Sequence, residues 1–330
     1  MKIALFGSKD FDSLEYHLND SLNFLKHDVT HIDIKDLVPI PYKYSYWASK
    51  LLKKYDSYLF EKVATKIIAT APELVICTYR FTHPDCIKLI RKGLPNVAII
   101  HVNPDQMTTL EYQQIFVSDY DAYFTKDLFM VDFMKNKMGL NTFYLPEAFN
   151  PRVHKKVTTD RTLLEKEVNI DVVAFGTMYP YRARMVENLI NEGIDIKLYG
   201  TPDKRFPRKQ ITDNFTNEFI TGDRKAEILS GAKIVFNNFH FAEVQSANVK
   251  FFEIGGIGAF QICDYKAVLE EYSIIDVEKF TFKNIHEAAD LIKFYLDKPL
   301  LRHELAETQR IHFMNNHTYE HRISELLSKI

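Results

Sequence analysis

Two stretches of the chain hold residue types that suit a charged ligand. The first reads Asn248-Val-Lys250-Phe-Phe-Glu253-Ile-Gly255-Gly256-Ile-Gly258-Ala-Phe-Gln-Ile-Cys-Asp264. Helix residues three apart share a face, so Lys250 and Glu253 can address one ligand. An ammonium neutralises a diphosphate, and a carboxylate accepts two hydrogen bonds from a ribose diol. Glycines at 255, 256 and 258 let backbone approach closely and turn sharply into the next strand. A surface Lys–Glu pair followed by a plain helix C-cap has the same spacing.

The second stretch reads Asp171-Val-Val-Ala-Phe-Gly176-Thr177-Met-Tyr-Pro-Tyr-Arg182-Ala-Arg184. This is a strand, a glycine turn and a helix start. Free N–H groups at a helix N-terminus favour phosphate, and Arg182 or Arg184 adds charge. The single glycine excludes a dinucleotide GxGxxG, and no GKS or GKT follows to make a P-loop. An ordinary strand-to-helix turn with solvated arginines fits the same residues. Both stretches follow predicted strands at their carboxyl ends, where ligands sit in open α/β sheets.

The elements around them alternate. In the first half, strands are predicted at 2–6, 29–34, 74–77, 97–102, 122–124 and 141–145. Helices are predicted at 14–26, 51–70, 83–92 and 128–138. Residues 146–168, with Pro146, Pro151 and many charges, read as a linker. Strands then recur at 168–176, 194–199, 219–220, 235–237 and 260–263. Helices follow at 181–192, 224–230, 249–254, 285–296 and 300–315, with a last one from about His317. The expected domains are 1–158 and 159–316, with 317–330 a C-terminal helix packing back on the first. Each is a Rossmann-like parallel sheet covered by helices, and the two are expected to face one another across a cleft.

Composition narrows the function. The 330 residues suit two domains of ordinary hydrophobic (46%) and charged (26%) content. A net charge of −2 with scattered Lys and Arg argues against a nucleic-acid partner. Cys77, Cys86 and Cys263 are three widely spaced cysteines, which fits a reducing cytoplasm and no zinc site. No apolar run reaches the ~18 residues of a membrane span, and the N-terminal MKIALFGS reads as a first strand, not a leader. The expected localisation is therefore cytoplasmic, with the inner face of the membrane as the one membrane association left open. Tyr42 to Tyr58, rich in Tyr, Trp47 and Lys, reads either as an interfacial patch or as an aromatic helix packed in the first domain, the latter being preferred.

The chain resembles the CgeB-type, or spore-maturation-protein-like, glycosyltransferases, most firmly from about residue 119 onward. The residues that carry the resemblance are Gly176 with Arg184, then Asn248-x-Lys250-x-Phe252-Glu253, Gly258-Ala259-Phe260 and Asp264, and finally His317-Thr318-Tyr319-Glu320-His321-Arg322. Ser118 to Asp127 and Leu145 to Pro151 fit as well. Lys250 departs from the usual arginine, which keeps the charge and loses the bidentate fork. The resemblance implies a GT-B fold and sugar transfer from a nucleoside-diphosphate sugar to a hydroxyl of a glycan, lipid-linked or protein acceptor. It implies a setting in bacterial surface polysaccharide or envelope glycan synthesis. Glu253 would hold the donor ribose. Lys250 and Arg184, with N–H groups near Gly176 and Thr177, would stabilise the leaving diphosphate. Arg182, Asn248, Gly255 and Gly256 complete the expected donor site. No metal and no cofactor beyond the co-substrate is expected, and the chain has no compact DxD loop. The oligomeric state is left open.

If the transfer inverts, a base on the acceptor side is expected from Asp105, then His101, after the strand Val97–Val102, whereas a retaining enzyme needs none, and the two outcomes stay open. The plainer roles are a helix N-cap for Asp105 after Pro104 and a hydrogen-bonded strand histidine for His101. Gly7 and Ser8 are candidate sugar contacts, against a simple turn, and Tyr79-Arg80 shares that ambiguity. Glu243 is a further sugar contact, against simple surface exposure. A non-catalytic GT-B-shaped sugar- or nucleotide-binding protein is the rival function. A sugar-nucleotide epimerase lacks its acidic-and-His set here, and a dehydrogenase lacks its GxGxxG.

Overall fold

Short apolar runs rich in Val and Ile form two separate parallel sheets. The computed structural model describes residues 1–38, 40–103, 105 and 111–330. The chain divides into two units, residues 1–146 with 319–330, and residues 147–318. The first unit contains β1 (Lys2–Phe6), β2 (Asp28–Ile32), β3 (Leu74–Cys77), β4 (Ala98–Asn103), β5 (Ala122–Thr125) and β6 (Thr142–Tyr144). Their order is β2-β1-β3-β4-β5-β6. Ile3–Phe6 and Leu74–Cys77 are buried, as expected for central strands covered on both faces. Leu59, Phe60, Val63 and Ile67 of helix Lys53–Thr70 pack with Phe6 and Val75 in its core.

Helix periodicity predicts one helix over 51–70. The structure has two, Tyr42–Leu51 and Lys53–Thr70, broken at extended Leu52 (φ −120°, ψ 91°). Neither Gly nor Pro marks that break, so the apolar spacing runs through it. Helix Tyr319–Leu327 belongs to the first unit, where the Tyr319 ring stacks on His17 at 5.2 Å and Arg322 Nε donates to Pro146 O at 3.0 Å.

The second unit contains β7 (Ile170–Thr177), β8 (Ile196–Thr201), β9 (Ala232–Asn237), β10 (Gln261–Asp264) and β11 (Thr281–Phe282), in the order β11-β10-β9-β7-β8. The short run Phe219–Ile220, expected as a strand, lies outside this sheet. Helix Arg161–Val168 and β11 are not foreseen by the sequence. In each sheet the strand order reverses once, between β1 and β3 and between β7 and β9. Residues just beyond these strands' carboxyl ends occupy the customary ligand position of such sheets.

The expected boundary at residue 158 falls inside the second unit. The segment after Pro146 is packed rather than a loose linker. Phe149 N donates to His317 O at 3.2 Å, and Phe149 and His154 are fully buried. A Cβ on Gly256 would come within 2.2 Å of the Phe149 ring, so helix Val249–Ile257 closes on that ring through a bare backbone. Among the described residues no helix is long and apolar enough to cross a membrane. Gly256→Ala should therefore lower stability by about 1–3 kcal/mol through overpacking, measured by chemical denaturation. Adding Phe149→Leu should recover part of that loss, and a purely additive pair would show that the ring is not the obstacle.

Candidate functional site

Two cations converge at the switch between β7 and β9. Arg182 lies in the first turn of helix Pro180–Asn191 and is buried. Its Nη1 donates to Phe175 O at 2.8 Å and Thr177 O at 3.3 Å, and its Nε donates to Asn238 Oδ1 at 2.7 Å. Burial pulls its pKa down to about 10, so it remains charged at neutral pH. Its buried Nη2 has no hydrogen-bond partner among the described residues. Gly176 sits beside it with φ +103°, a conformation that favours glycine. A Cβ there would lie 3.5 Å from Arg182 Nη1 and 3.9 Å from Lys250 Nζ.

Lys250, in the first turn of helix Val249–Ile257, makes no hydrogen bond or ion pair among the described residues. Its Nζ lies 5.6 Å from the Phe175 ring centroid. Burial and the neighbouring Arg182 charge push its pKa well below the usual lysine range, while Glu243, Glu253 and Asp264 pull it back. Helix Pro180–Asn191 starts without a side-chain cap, leaving first-turn N–H groups on the same side. Two cations over a bare glycine beside a helix N-terminus make a seat for an anion.

Glu253, on the same helix, meets different partners. Lys225 Nζ donates to its Oε2 at 3.2 Å, and His154 Nε2 lies 3.5 Å from its Oε1, all three residues being buried. The motif reading missed Lys225 and His154, and no local pattern marks them. Asn248 is the N-cap of the helix, its Oδ1 accepting from Phe251 N at 3.0 Å, while its amide is locked to Asn237. Its side chain is committed to the cap and to Asn237.

Several expected contacts are corrected. Arg184 lies about 200° around the helix from Arg182. It is exposed and paired with Glu187 at 3.0 Å, outside the cation cluster. Gly255 and Gly256 admit the chain's own rings, since a Cβ would meet Phe313 at 2.5 Å or Phe149 at 2.2 Å. Gly258, by contrast, ends the helix at φ +90°, the expected sharp turn. Glu243, for which exposure was the plainer reading, is buried, and its Oε2 accepts from His240 N at 2.8 Å. Asp264 Oδ2 accepts from Phe239 N at 2.5 Å, and burial raises its pKa to about 6. Tyr179, Tyr181, His240 and Phe241 form an aromatic cluster next to these groups, His240 stacking on Phe241 at 4.4 Å.

In the first unit, Gly7 is bare because a Cβ would meet Thr78 Oγ1 at 2.2 Å and the Glu15 side chain at 2.3 Å. Ser8 Oγ accepts from Asp10 N at 3.1 Å and shapes that turn. His101 is fully buried within β4, edge-on to Tyr120 at 5.2 Å. Neither ring nitrogen is bonded among the described residues, and burial lowers its pKa to about 3. A neutral, sealed imidazole of this kind does not suit a general base, and the expected hydrogen bond is absent too. Asp105 is partly exposed, and its carboxylate is bound by the Arg80 guanidinium. Its own N–H donates to Asn103 Oδ1 at 3.2 Å. Pro104, invoked for a capping role of Asp105, lies outside the described residues.

Residues 182–328 match a protein-family model described as glycosyl transferase-like. No curated protein sequence matches the chain. The chain aligns over 99% of its length with 97% of a sucrose-phosphate synthase from Thermosynechococcus elongatus, at TM-score 0.70 and 14% identity. It aligns over 100% of its length with 100% of Anabaena HepE, solved in complex with UDP and glucose, at TM-score 0.67 and 12% identity. T4 phage β-glucosyltransferase aligns over 100% of this chain and 99% of its own, at TM-score 0.56 and 14% identity. These likenesses show the fold, two parallel-sheet Rossmann-like units of the GT-B type. The family match covers Arg182, Lys250, Glu253 and Asp264.

The raised pKa of Asp264 gives a signed prediction. Its ionised form costs the fold, so the native state holds this proton more tightly than the unfolded chain. Stability from this group is present below about pH 4 and is lost as pH rises through about 6. Asp264→Asn should match wild type in acid and exceed it at neutral pH, by at most about 3 kcal/mol. Denaturation across that range checks this, and a pH-independent difference would contradict it.

Proposed function

We propose that this protein is a glycosyltransferase that moves a sugar from a nucleoside-diphosphate donor to a hydroxyl of a glycan, lipid-linked or protein acceptor. The observation that carries the reading is the convergence of Arg182 and Lys250 over Gly176, inside the stretch that matches the glycosyl transferase-like model. In the transfer, the bond from the sugar anomeric carbon to the diphosphate oxygen breaks, and the electron pair leaves with the diphosphate. The acceptor oxygen bonds to that carbon, and its proton passes to a base. Lys250, Arg182 and the first-turn N–H groups offset the charge growing on the leaving group. On this reading no metal is required, and activity persists in EDTA. Glu253 receives the ribose, with Lys225 and His154 holding its carboxylate in place. Glu243 and the aromatic cluster flank the sugar. Asp105 is the candidate base for an inverting reaction, and Asp105→Asn with near wild-type activity would remove it. Membership of the CgeB-type group and a role in bacterial envelope polysaccharide belong to the same proposal.

Thermal-shift screening against UDP, GDP, dTDP, CDP and CMP tests the donor site. A ligand at 100 times its Kd should add about 2.7 kcal/mol of stability. Lys250→Ala should abolish the shift, and Glu253→Gln, which keeps a hydrogen-bond acceptor for Lys225, should weaken it. No shift with any nucleotide would favour a non-nucleotide ligand and sink the reading.

Lys250 also makes binding depend on pH. The diphosphate draws its lowered pKa back up, so binding takes up a proton and affinity falls as pH rises through the free protein's value. Lys250→Arg should bind with a flat pH profile in the same titration.

A further inference from the structure

We propose that the face made by helices Tyr42–Leu51 and Lys53–Thr70 docks on an anionic lipid surface. Sequence reading preferred these aromatics as packed in the first unit. The structure turns Tyr42 and Tyr46 inward, Tyr46 lying 5.7 Å from Phe81 and Tyr42 lying 6.5 Å from Tyr79. It leaves Tyr44 (63% exposed), Trp47 (57%), Leu51 (78%) and Leu52 (60%) in solvent. Residues 44, 47 and 51 fall at i, i+3 and i+7 and form one stripe along the first helix.

Lysines border the stripe. Lys43 and Lys54 are exposed, and Lys50 Nζ lies 4.5 Å from the Tyr46 ring centroid and 5.7 Å from that of Trp47. Lys62 Nζ lies 4.7 Å from the Tyr58 ring centroid. Between residues 42 and 62, five lysines stand against Asp56 and Glu61, a local charge of +3 (5 − 2) in a chain of net −2. Exposed Trp and Leu flanked by lysines suit a bilayer interface, where apolar side chains enter and ammonium groups meet anionic headgroups.

Behind the stripe is a cavity of about 580 Å³ lined by Tyr42, Tyr46, Lys50, Lys53, Tyr79 and Phe81 among others. Docking brings Lys50 and Lys53 of this lining, which also holds Asp56 and Asp85, to headgroup level, where the phosphate of a lipid-linked acceptor would lie. That consequence rests on the transferase reading, whereas the docking itself does not.

Trp47 is the chain's single tryptophan, so its emission reports this face alone. The full-length protein is mixed with vesicles of equimolar phosphatidylglycerol and phosphatidylcholine, or of phosphatidylcholine alone. The expected result is a blue shift and co-sedimentation with the anionic vesicles, reversed by salt, and neither with the neutral ones. Lys43→Ser and Lys54→Ser should each weaken binding about fivefold, with unchanged melting temperature. No sedimentation with anionic vesicles overturns the proposal. So does sedimentation without a Trp47 shift, which would place binding elsewhere, and so does a lipid-independent shift that grows with protein concentration, which indicates self-association. The nucleotide screen on the same samples reads the donor site separately.

Discussion

The Arg182 guanidinium ties the end of β7 to the segment after β9. Its bonds reach Phe175 O, Thr177 O and Asn238 Oδ1. A buried cation is costly, and these acceptors offset part of that cost. Lys250 brings a second basic side chain to the same glycine, and burial together with the Arg182 charge pushes its pKa well below the usual lysine range. Glu243, Glu253 and Asp264 bring negative charge to the same cluster.

Holding two like charges together requires a rigid frame. Helix Val249–Ile257 supplies it through three separate contacts. Asn248 caps its start, Phe149 and Phe313 press on its glycines, and Gly258 ends it in a left-handed turn. Its two charged residues are then divided between tasks. Lys250 aims at Gly176, and Glu253 is locked by Lys225 and His154. A sequence motif that looks like one ion pair is, in space, two separate sets of contacts on one short helix.

The same frame explains which positions tolerate change. Exposed residues such as Arg184 stand outside the tension at Gly176. Gly255 and Gly256 are constrained by ring packing, so their substitution acts first on folding. Asp264, Glu243 and His240 sit where both apply, since their hydrogen bonds shape the loop after β9 and the Asp264 and Glu243 carboxylates act on Lys250.

Most strand positions, the parallel order of elements and the two Rossmann-like halves were legible in the sequence, because continuous apolar runs need burial on both faces, whereas Phe219–Ile220 and β11 were too short to read correctly. The glycine turns at 176 and 258 were legible for a similar reason, being local backbone requirements. The spacing of Lys250 and Glu253 correctly put both on one helix. Tertiary structure alone decided what that helix meets. Periodicity reports which residues share a face and carries no information about the opposing surface. Hence Arg182 rather than Arg184 entered the site, Lys225 and His154 appeared from distant segments, and His101 was sealed in its sheet. The residues after Pro146 joined the second unit, and Trp47 and Leu51 turned outward, for the same reason: each outcome depends on contacts far apart in the chain.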